Sequence, residues 1–137
     1  MTVLLVDAAN VVGSRPDGWW RDREGAAERL LARLAGLVGR RLIGPDGADL
    51  TVEEVVAVVE GRARDATAPE GIRVVRARGS GDDALAECAA ELAAEHRSQL
   101  VVTADRGLRA RLPDGAAVTG PGWLLTALDD AVPPPSA

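Results

Sequence analysis

The chain opens with a short, continuous apolar run, Val3–Val6, which ends abruptly in Asp7 and, three residues later, Asn10. An apolar run without polar interruption is typical of a central strand of a parallel sheet, because such a strand is covered on both faces. Ligands of open α/β sheets bind in the crevice at the carboxyl ends of the strands. Asp7 and Asn10 therefore lie where a functional site is expected, although they could simply end the strand and form a turn.

Apolar runs alternate with segments of helical periodicity along the rest of the chain. Strands are predicted at residues 3–6, 55–59, 72–75, 100–102 and 116–118, and helices at residues 23–41, 79–96, 106–111 and 123–128. Right-handed crossovers then give a three-layer α/β/α domain with a mainly parallel sheet of strand order 3-2-1-4-5. The length of 137 residues suits one domain, predicted at residues 1–131 and followed by a disordered Pro-rich tail at 132–137.

The composition excludes several classes of function. All 16 basic residues are arginine, so a P-loop lysine and a Schiff-base lysine are both excluded. Cys88 and His96 are single residues of their types, which rules out an intramolecular disulfide and a Cys/His zinc site. No apolar run approaches the ~20 residues of a membrane span and no signal-peptide pattern is present, so we expect a cytoplasmic protein without a membrane partner.

Acidic residues follow four of the predicted strands. Asp7 ends the first strand, Glu60 the second, Asp82 and Asp83 follow the third, and Asp105 follows the fourth. Parallel strands bring these carboxylates to one edge of the sheet, with Asp7 and Asp105 flanking the point where the strand order reverses. Carboxylates that converge in one cleft repel each other unless a cation neutralises them, and an all-oxygen donor set favours Mg²⁺ or Mn²⁺ over zinc. Such ions support phosphodiester hydrolysis.

The acids also have a purely structural interpretation, which stays open at this point. Ser80 could cap the helix that follows it, and Asp82 and Asp83 would then complement the helix dipole. Asp105 could cap the next helix in the same way.

Arginines and tryptophans lie close to the same strand ends in the sequence. Arg15 follows the first strand and Arg106 the fourth, and guanidinium groups match phosphate oxygens bidentately. Such local clusters are needed because a formal net charge of −5 opposes binding of a polyanion. Trp19 and Trp20 could stack on bases. The tryptophan pair could equally close a loop over the sheet edge or fill a dimer contact, so a homodimer is a further expectation.

Three stretches resemble the NYN domain family of PIN-like ribonucleases, and particularly its YacP-like branch. They are Leu5-Val6-Asp7-Ala8-Ala9-Asn10-Val11-Val12-Gly13, Gly79-Ser80-Gly81-Asp82-Asp83 and Val101-Val102-Thr103-Ala104-Asp105, in the family's order. The resemblance spans most of residues 1–128 and implies a PIN-like fold, a Mg²⁺ or Mn²⁺ site and cleavage of single-stranded RNA. It implies that Asp7, Asp82 and Asp105 ligate metal with help from Asp83, and that Asn10 orients the pocket or a phosphate.

The residues and the resemblance together predict a metal-dependent endoribonuclease that leaves 5′-phosphate and 3′-hydroxyl ends. The predicted catalytic residues are Asp7, Asp82, Asp83 and Asp105. The predicted metal ligands are Asp7, Asp82 and Asp105, with Asp83 and Glu60 as further candidates. The predicted substrate-binding residues are Asn10, Arg15, Ser80, Thr103 and Arg106, with Trp19 and Trp20 as further candidates. Two alternatives remain: a non-catalytic PIN-like module that binds nucleic acid or protein, and a phosphohydrolase of small nucleotides.

Overall fold

A six-stranded sheet forms the middle layer of the fold. The computed structural model describes residues 1–15 and 18–131, so the predicted tail at 132–137 lies outside the described residues. The strands are β1 (Thr2–Asp7), β2 (Arg41–Ile43), β3 (Asp49–Val59), β4 (Arg73–Arg76), β5 (Gln99–Val102) and β6 (Ala117–Thr119). The α-helices are α1 (Ala8–Gly13), α2 (Arg23–Ala35), α3 (Gly81–Ala94), α4 (Arg106–Arg109) and α5 (Pro121–Ala131). Single 3-10 turns cover Trp19–Arg21 and Gly61–Ala63.

The parallel strands have the predicted order, and the structure adds an antiparallel strand, β2, next to β3. β1 pairs with β3 on one side and with β5 on the other, β4 joins β3, and β6 joins β5, all in parallel. The order β4-β3-β1-β5-β6 corresponds to the predicted 3-2-1-4-5. The register aligns Asp7 with Val58 of β3, and Val6 with Val102 of β5. The ends of the three central strands therefore lie at the same edge, which we call the carboxyl edge.

Helices cover both faces of the sheet, as predicted for a three-layer fold. Leu4 and Val6 of β1 belong to a core cluster with side chains of α1, α2 and α5. Val3 and Leu5, which alternate with them, belong to a second cluster with side chains of α3 and α4. All four side chains are fully buried, because a central strand of a parallel sheet packs against helices on both sides.

The helix predicted at residues 23–41 is too long at its C-terminal end. Helix α2 ends at Ala35, and the chain reverses at Gly39, whose φ of 80° is easily adopted only by glycine. The N–H of Gly39 donates to the carbonyl of Val52, which directs the next residues into an edge strand. The second strand, predicted at residues 55–59, is also too short. Strand β3 begins at Asp49, and its first residues pair antiparallel with β2.

The other differences concern short elements. Helix α1 has no counterpart among the predicted helices; it follows β1 directly and is capped by Asp7. The predicted helix at 79–96 is α3, and the predicted short helix through Arg111 is the four-residue α4. None of the helices within the described ranges is long and apolar enough to cross a membrane.

Candidate active site

Asp7 is the most buried acidic residue at the carboxyl edge. It is the last residue of β1 and the N-cap of α1, and it is 8% exposed. Its Oδ1 accepts a hydrogen bond from the backbone N–H of Asn10 at 3.3 Å. Its Oδ2 accepts one from the hydroxyl of Thr103 at 2.9 Å. The side chain is therefore held in one orientation at the junction of the central strand and the first helix.

Thr103 and Asn10 connect the ends of β1 and β5. The Thr103 side chain is fully buried, and its Oγ1 also accepts a hydrogen bond from the N–H of Asp105 at 3.1 Å. The Oδ1 of Asn10 accepts one from the N–H of Ala104 at 2.9 Å. The guanidinium of Arg109 donates to the carbonyl of Thr103 at 3.0 Å. Two side chains predicted to bind substrate thus have polar groups committed to holding the strand ends together.

Burial raises the pKa of Asp7 above its ordinary value of 3.8, because an ionised carboxylate loses water there. The hydrogen bonds from Thr103 and Asn10 oppose this shift, since they favour the charged form. The negative charges of Asp82 and Glu60 raise the pKa further. Asp7 is accordingly a carboxylate whose ionised form is in an unfavourable environment, which a nearby cation would improve.

Glu60 lies next to the start of α3 and is fixed there by Gly81. Its Oε2 accepts a hydrogen bond from the N–H of Gly81 at 2.7 Å. A Cβ atom at position 81 would lie 2.6 Å from the Cδ of Glu60, so any larger residue there would displace the Glu60 carboxylate. Gly81 is therefore explained by its close contact with Glu60, which lies 21 positions earlier in the chain.

We expect Gly81→Ala to displace the Glu60 carboxylate and to lower the free energy of unfolding by about 1–2 kcal/mol, through loss of a charge-assisted hydrogen bond. Gly79→Ala is the matched control, because a Cβ atom at position 79 meets no atom within 4 Å. Urea denaturation of both variants measures the difference. A Gly81→Ala protein as stable as Gly79→Ala would show that the contact between Glu60 and Gly81 contributes nothing.

Asp82 and Asp105 lie at the start of the next two helices. The pKa of Asp82 is raised first by partial burial, then by the charges of Asp105 and Glu60, while Arg111 opposes the shift and Asp83 adds to it. The carboxylate of Asp82 accepts no hydrogen bond from any group in the described part of the chain. Asp83 is more exposed and pairs with Arg111 at 2.7 Å.

Ser80 and Asp105 both cap helices, as their positions in the sequence allowed. The hydroxyl of Ser80 accepts a hydrogen bond from the N–H of Asp82 at 3.2 Å at the start of α3. The Oδ1 of Asp105 accepts one from the N–H of Leu108 at 2.9 Å at the start of α4. Capping uses only one oxygen of Asp105, so the cap and a ligand role for the other oxygen are compatible.

The donor chemistry of the carboxyl edge fits a hard divalent cation. Within residues 1–15 and 18–131, no arginine forms an ion pair with Asp7, Glu60, Asp82 or Asp105, and their mutual charges are therefore uncompensated by direct contacts. In those same ranges, however, no three acidic, histidine or cysteine side chains are close enough to hold an ion between them. Mg²⁺ usually retains several waters and uses one or two carboxylates, so a site with only one or two of these side chains as direct ligands would suit Mg²⁺.

The remaining candidate residues differ in their contacts and in their exposure. Arg15 pairs with Asp129 of α5 at 3.2 Å, whereas Arg106, the first residue of α4, is exposed. Trp19 is half-buried and its ring lies at 86° to that of the exposed Trp20.

Two arginines that are not among the predicted site residues also contact the site. Arg109 follows Asp105 by four residues, a helical spacing that returns its side chain to the end of β5 and could have indicated this contact. Arg111 offered no comparable signal for its pairing with Asp83.

Comparison with known proteins supports the fold. The chain is similar to the crystal structure of a mutant of Rae1 (YacP) from Bacillus subtilis, with a TM-score of 0.71 and 20% sequence identity over 96% of this chain and 77% of that chain. No model of a known protein family matches the sequence, and no curated protein does. The chain therefore has the PIN-like α/β fold of Rae1 (YacP), with a helix-covered sheet whose central strand ends at Asp7.

Proposed function

We propose that this protein is a metal-dependent endoribonuclease of the YacP-like branch of NYN domain proteins, which hydrolyses single-stranded RNA at the carboxyl edge. The observation that carries the proposal is the buried carboxylate of Asp7, held by Thr103 and Asn10 beside the charges of Asp82 and Glu60. The ordered sequence motifs support this reaction class through their acidic residues. The similarity to the fold of Rae1 (YacP) is consistent with it.

Asp7, Asp82 and Asp105 are the proposed ligands of Mg²⁺ or Mn²⁺, and Asp83 and Glu60 are further candidates. When bound, such an ion lowers the pKa of a water nucleophile and stabilises the leaving oxygen. Each proposed ligand retains capacity to accept more bonds, because a carboxylate has about four lone-pair sites. Asp82 uses none of them within the described residues, and Asp105 uses one.

The remaining residues would orient the ligands and the phosphate. Thr103 and Asn10 fix Asp7 and join β1 to β5, which limits motion between the two strand ends. Arg106 has no ion-pair partner among the described residues and lies directly after Asp105, so its guanidinium is available to a phosphate. Such a local cation is needed because the protein as a whole repels polyanions.

The test is to incubate the purified protein with a pool of single-stranded RNA and Mn²⁺, with and without EDTA. We expect internal cleavage with 5′-phosphate and 3′-hydroxyl ends, and none with EDTA. A panel of nucleoside triphosphates in the same assay tests the small-nucleotide alternative. Cleavage that survives EDTA contradicts the metal requirement.

A non-catalytic module that binds nucleic acid or protein is the second candidate. It is favoured by the absence of any assembled group of three potential ligands within the described ranges. This alternative predicts that RNA is retained without turnover even in millimolar Mn²⁺. A cytoplasmic location and a homodimer remain predictions, and size-exclusion chromatography with light scattering tests the dimer.

A further inference from the structure

We propose that an apolar cavity beside the carboxyl edge receives one unpaired nucleobase of the RNA. This inference rests on the proposed ribonuclease function. The cavity, which we call the base pocket, has a volume of about 390 Å³, and its walls include Val12, Trp19, Arg23 and Val59. Ligand sites typically measure about 300–1,000 Å³ and combine apolar walls with a few polar groups, so the pocket has the size and lining of a site for a small ligand.

The base pocket reaches the carboxyl edge at Glu60 and at the residue after Asp7. Glu60 forms part of its lining, and so does Ala8, the residue that follows Asp7 in the chain. A base held in the pocket therefore places its own sugar and phosphates next to the carboxyl edge. Gly61 and Gly79 also line the pocket, and a Cβ atom at either position would meet no atom within 4 Å, so the space beside them is open.

Trp19 gives the pocket an aromatic face. Its indole is half-buried, and the guanidinium of Arg23 lies 5.4 Å from the ring centroid, which holds the ring and supplies donors near the pocket. Trp20 is 52% exposed and lies nearly perpendicular to Trp19, so the two rings do not form one stacking surface. Trp19 is therefore the ring on which a single base would stack.

A nucleobase fits this chemistry better than other occupants. It is planar and stacks on an aromatic ring, and such stacking is sequence-tolerant because every base has a π-face. Its edge carries donors and acceptors that Arg23 and Glu60 could meet, whereas an aliphatic ligand would leave these groups unpaired.

The test measures binding of a short single-stranded RNA by fluorescence anisotropy in EDTA, so that the readout does not depend on catalysis. We expect Trp19→Ala to weaken binding about 5- to 150-fold, the equivalent of losing one stacked base. Trp19→Phe should retain most of the affinity, because a ring remains. Ile43→Ala, at an exposed apolar residue of β2, is the control and should bind like the wild type.

Ala63→Leu narrows the pocket while keeping Trp19, and it should weaken binding in the same direction. Melting temperatures show which variants are folded, and only folded variants are compared. An RNA with one abasic nucleotide should bind the wild type more weakly but bind Trp19→Ala no more weakly than intact RNA does.

Three results overturn the proposal. If folded Trp19→Ala and Ala63→Leu bind RNA as the wild type does, the base pocket is unused while the ribonuclease function stands. If nucleoside monophosphates bind as tightly as RNA, the pocket serves a free nucleotide. If the wild type neither binds nor cleaves RNA with Mn²⁺, the proposed function fails together with the inference.

Discussion

Asp7→Asn should lower the rate of RNA cleavage by more than about a hundredfold, because removal even of a group that only orients a metal ligand costs about 10–100-fold. The substitution keeps the size of the side chain and an oxygen that can still cap α1. Cleavage rates in Mn²⁺ measure the loss. Asp114→Asn, at an exposed position outside the site, is the matched control and should cleave like the wild type. Equal rates in the two variants would contradict a ligand role for Asp7.

The same substitution should change how stability depends on pH in the metal-free protein. The folded-state pKa of Asp7 lies above its ordinary value of 3.8, so between these two values the unfolded chain binds fewer protons than the folded one. The free energy of unfolding therefore falls as the pH rises through that window. Asp7→Asn lacks this contribution and should show a smaller fall, with a more stable apo protein at neutral pH. Denaturation from pH 3 to 7 measures the free energy of unfolding of both proteins. If it depends on pH in the same way in both, the predicted contribution of Asp7 is wrong.

Thr103→Val should reduce both stability and activity. The variant keeps the shape but loses the hydroxyl that donates to Asp7 and accepts from the N–H of Asp105. We expect a loss of about 2–3 kcal/mol in the free energy of unfolding, since hydrogen bonds to charged groups contribute about 1.5–3 kcal/mol each. We also expect a 10–100-fold loss in cleavage rate, as for other residues that orient metal ligands.

Thr103→Ser is the control for this prediction, because it retains the hydroxyl and loses only a methyl group. Urea denaturation and cleavage rates of the two variants should differ, and the pKa of Asp7 should rise further in Thr103→Val, since the lost hydrogen bond favours the charged form. If the Ser and Val variants lose activity equally, the methyl group matters and the hydroxyl does not.

The central parallel strands could be located in the sequence because buried central strands have uninterrupted apolar runs. Val3–Val6 and the run at residues 55–59 both follow this pattern, and acidic residues mark where each run ends. The edge strand β2 lacks such a signal, since it has three residues and only Leu42 is partly buried. Its pairing depends on a chain reversal at Gly39 that apolar periodicity does not indicate.

The sequence predicted which residues lie at the candidate site, but not the contacts that hold its carboxylates. The hydroxyl of Thr103 meets Asp7 across 96 positions of sequence, and Gly81 meets Glu60 across 21. These contacts depend on the strand order and register, so local spacing cannot predict them. The base pocket has the same origin, because Trp19 and Glu60 line it from different parts of the chain.

The central claim is that the carboxyl edge binds a divalent cation. The most direct measurement is anomalous scattering from a crystal of the protein soaked in Mn²⁺. We expect one or two manganese peaks, each bound directly by one or two of the carboxylates of Asp7, Asp82 and Asp105, and their loss in Asp7→Asn. A well-diffracting soaked crystal with no manganese at these three carboxylates, or with the same peaks in Asp7→Asn, would contradict it.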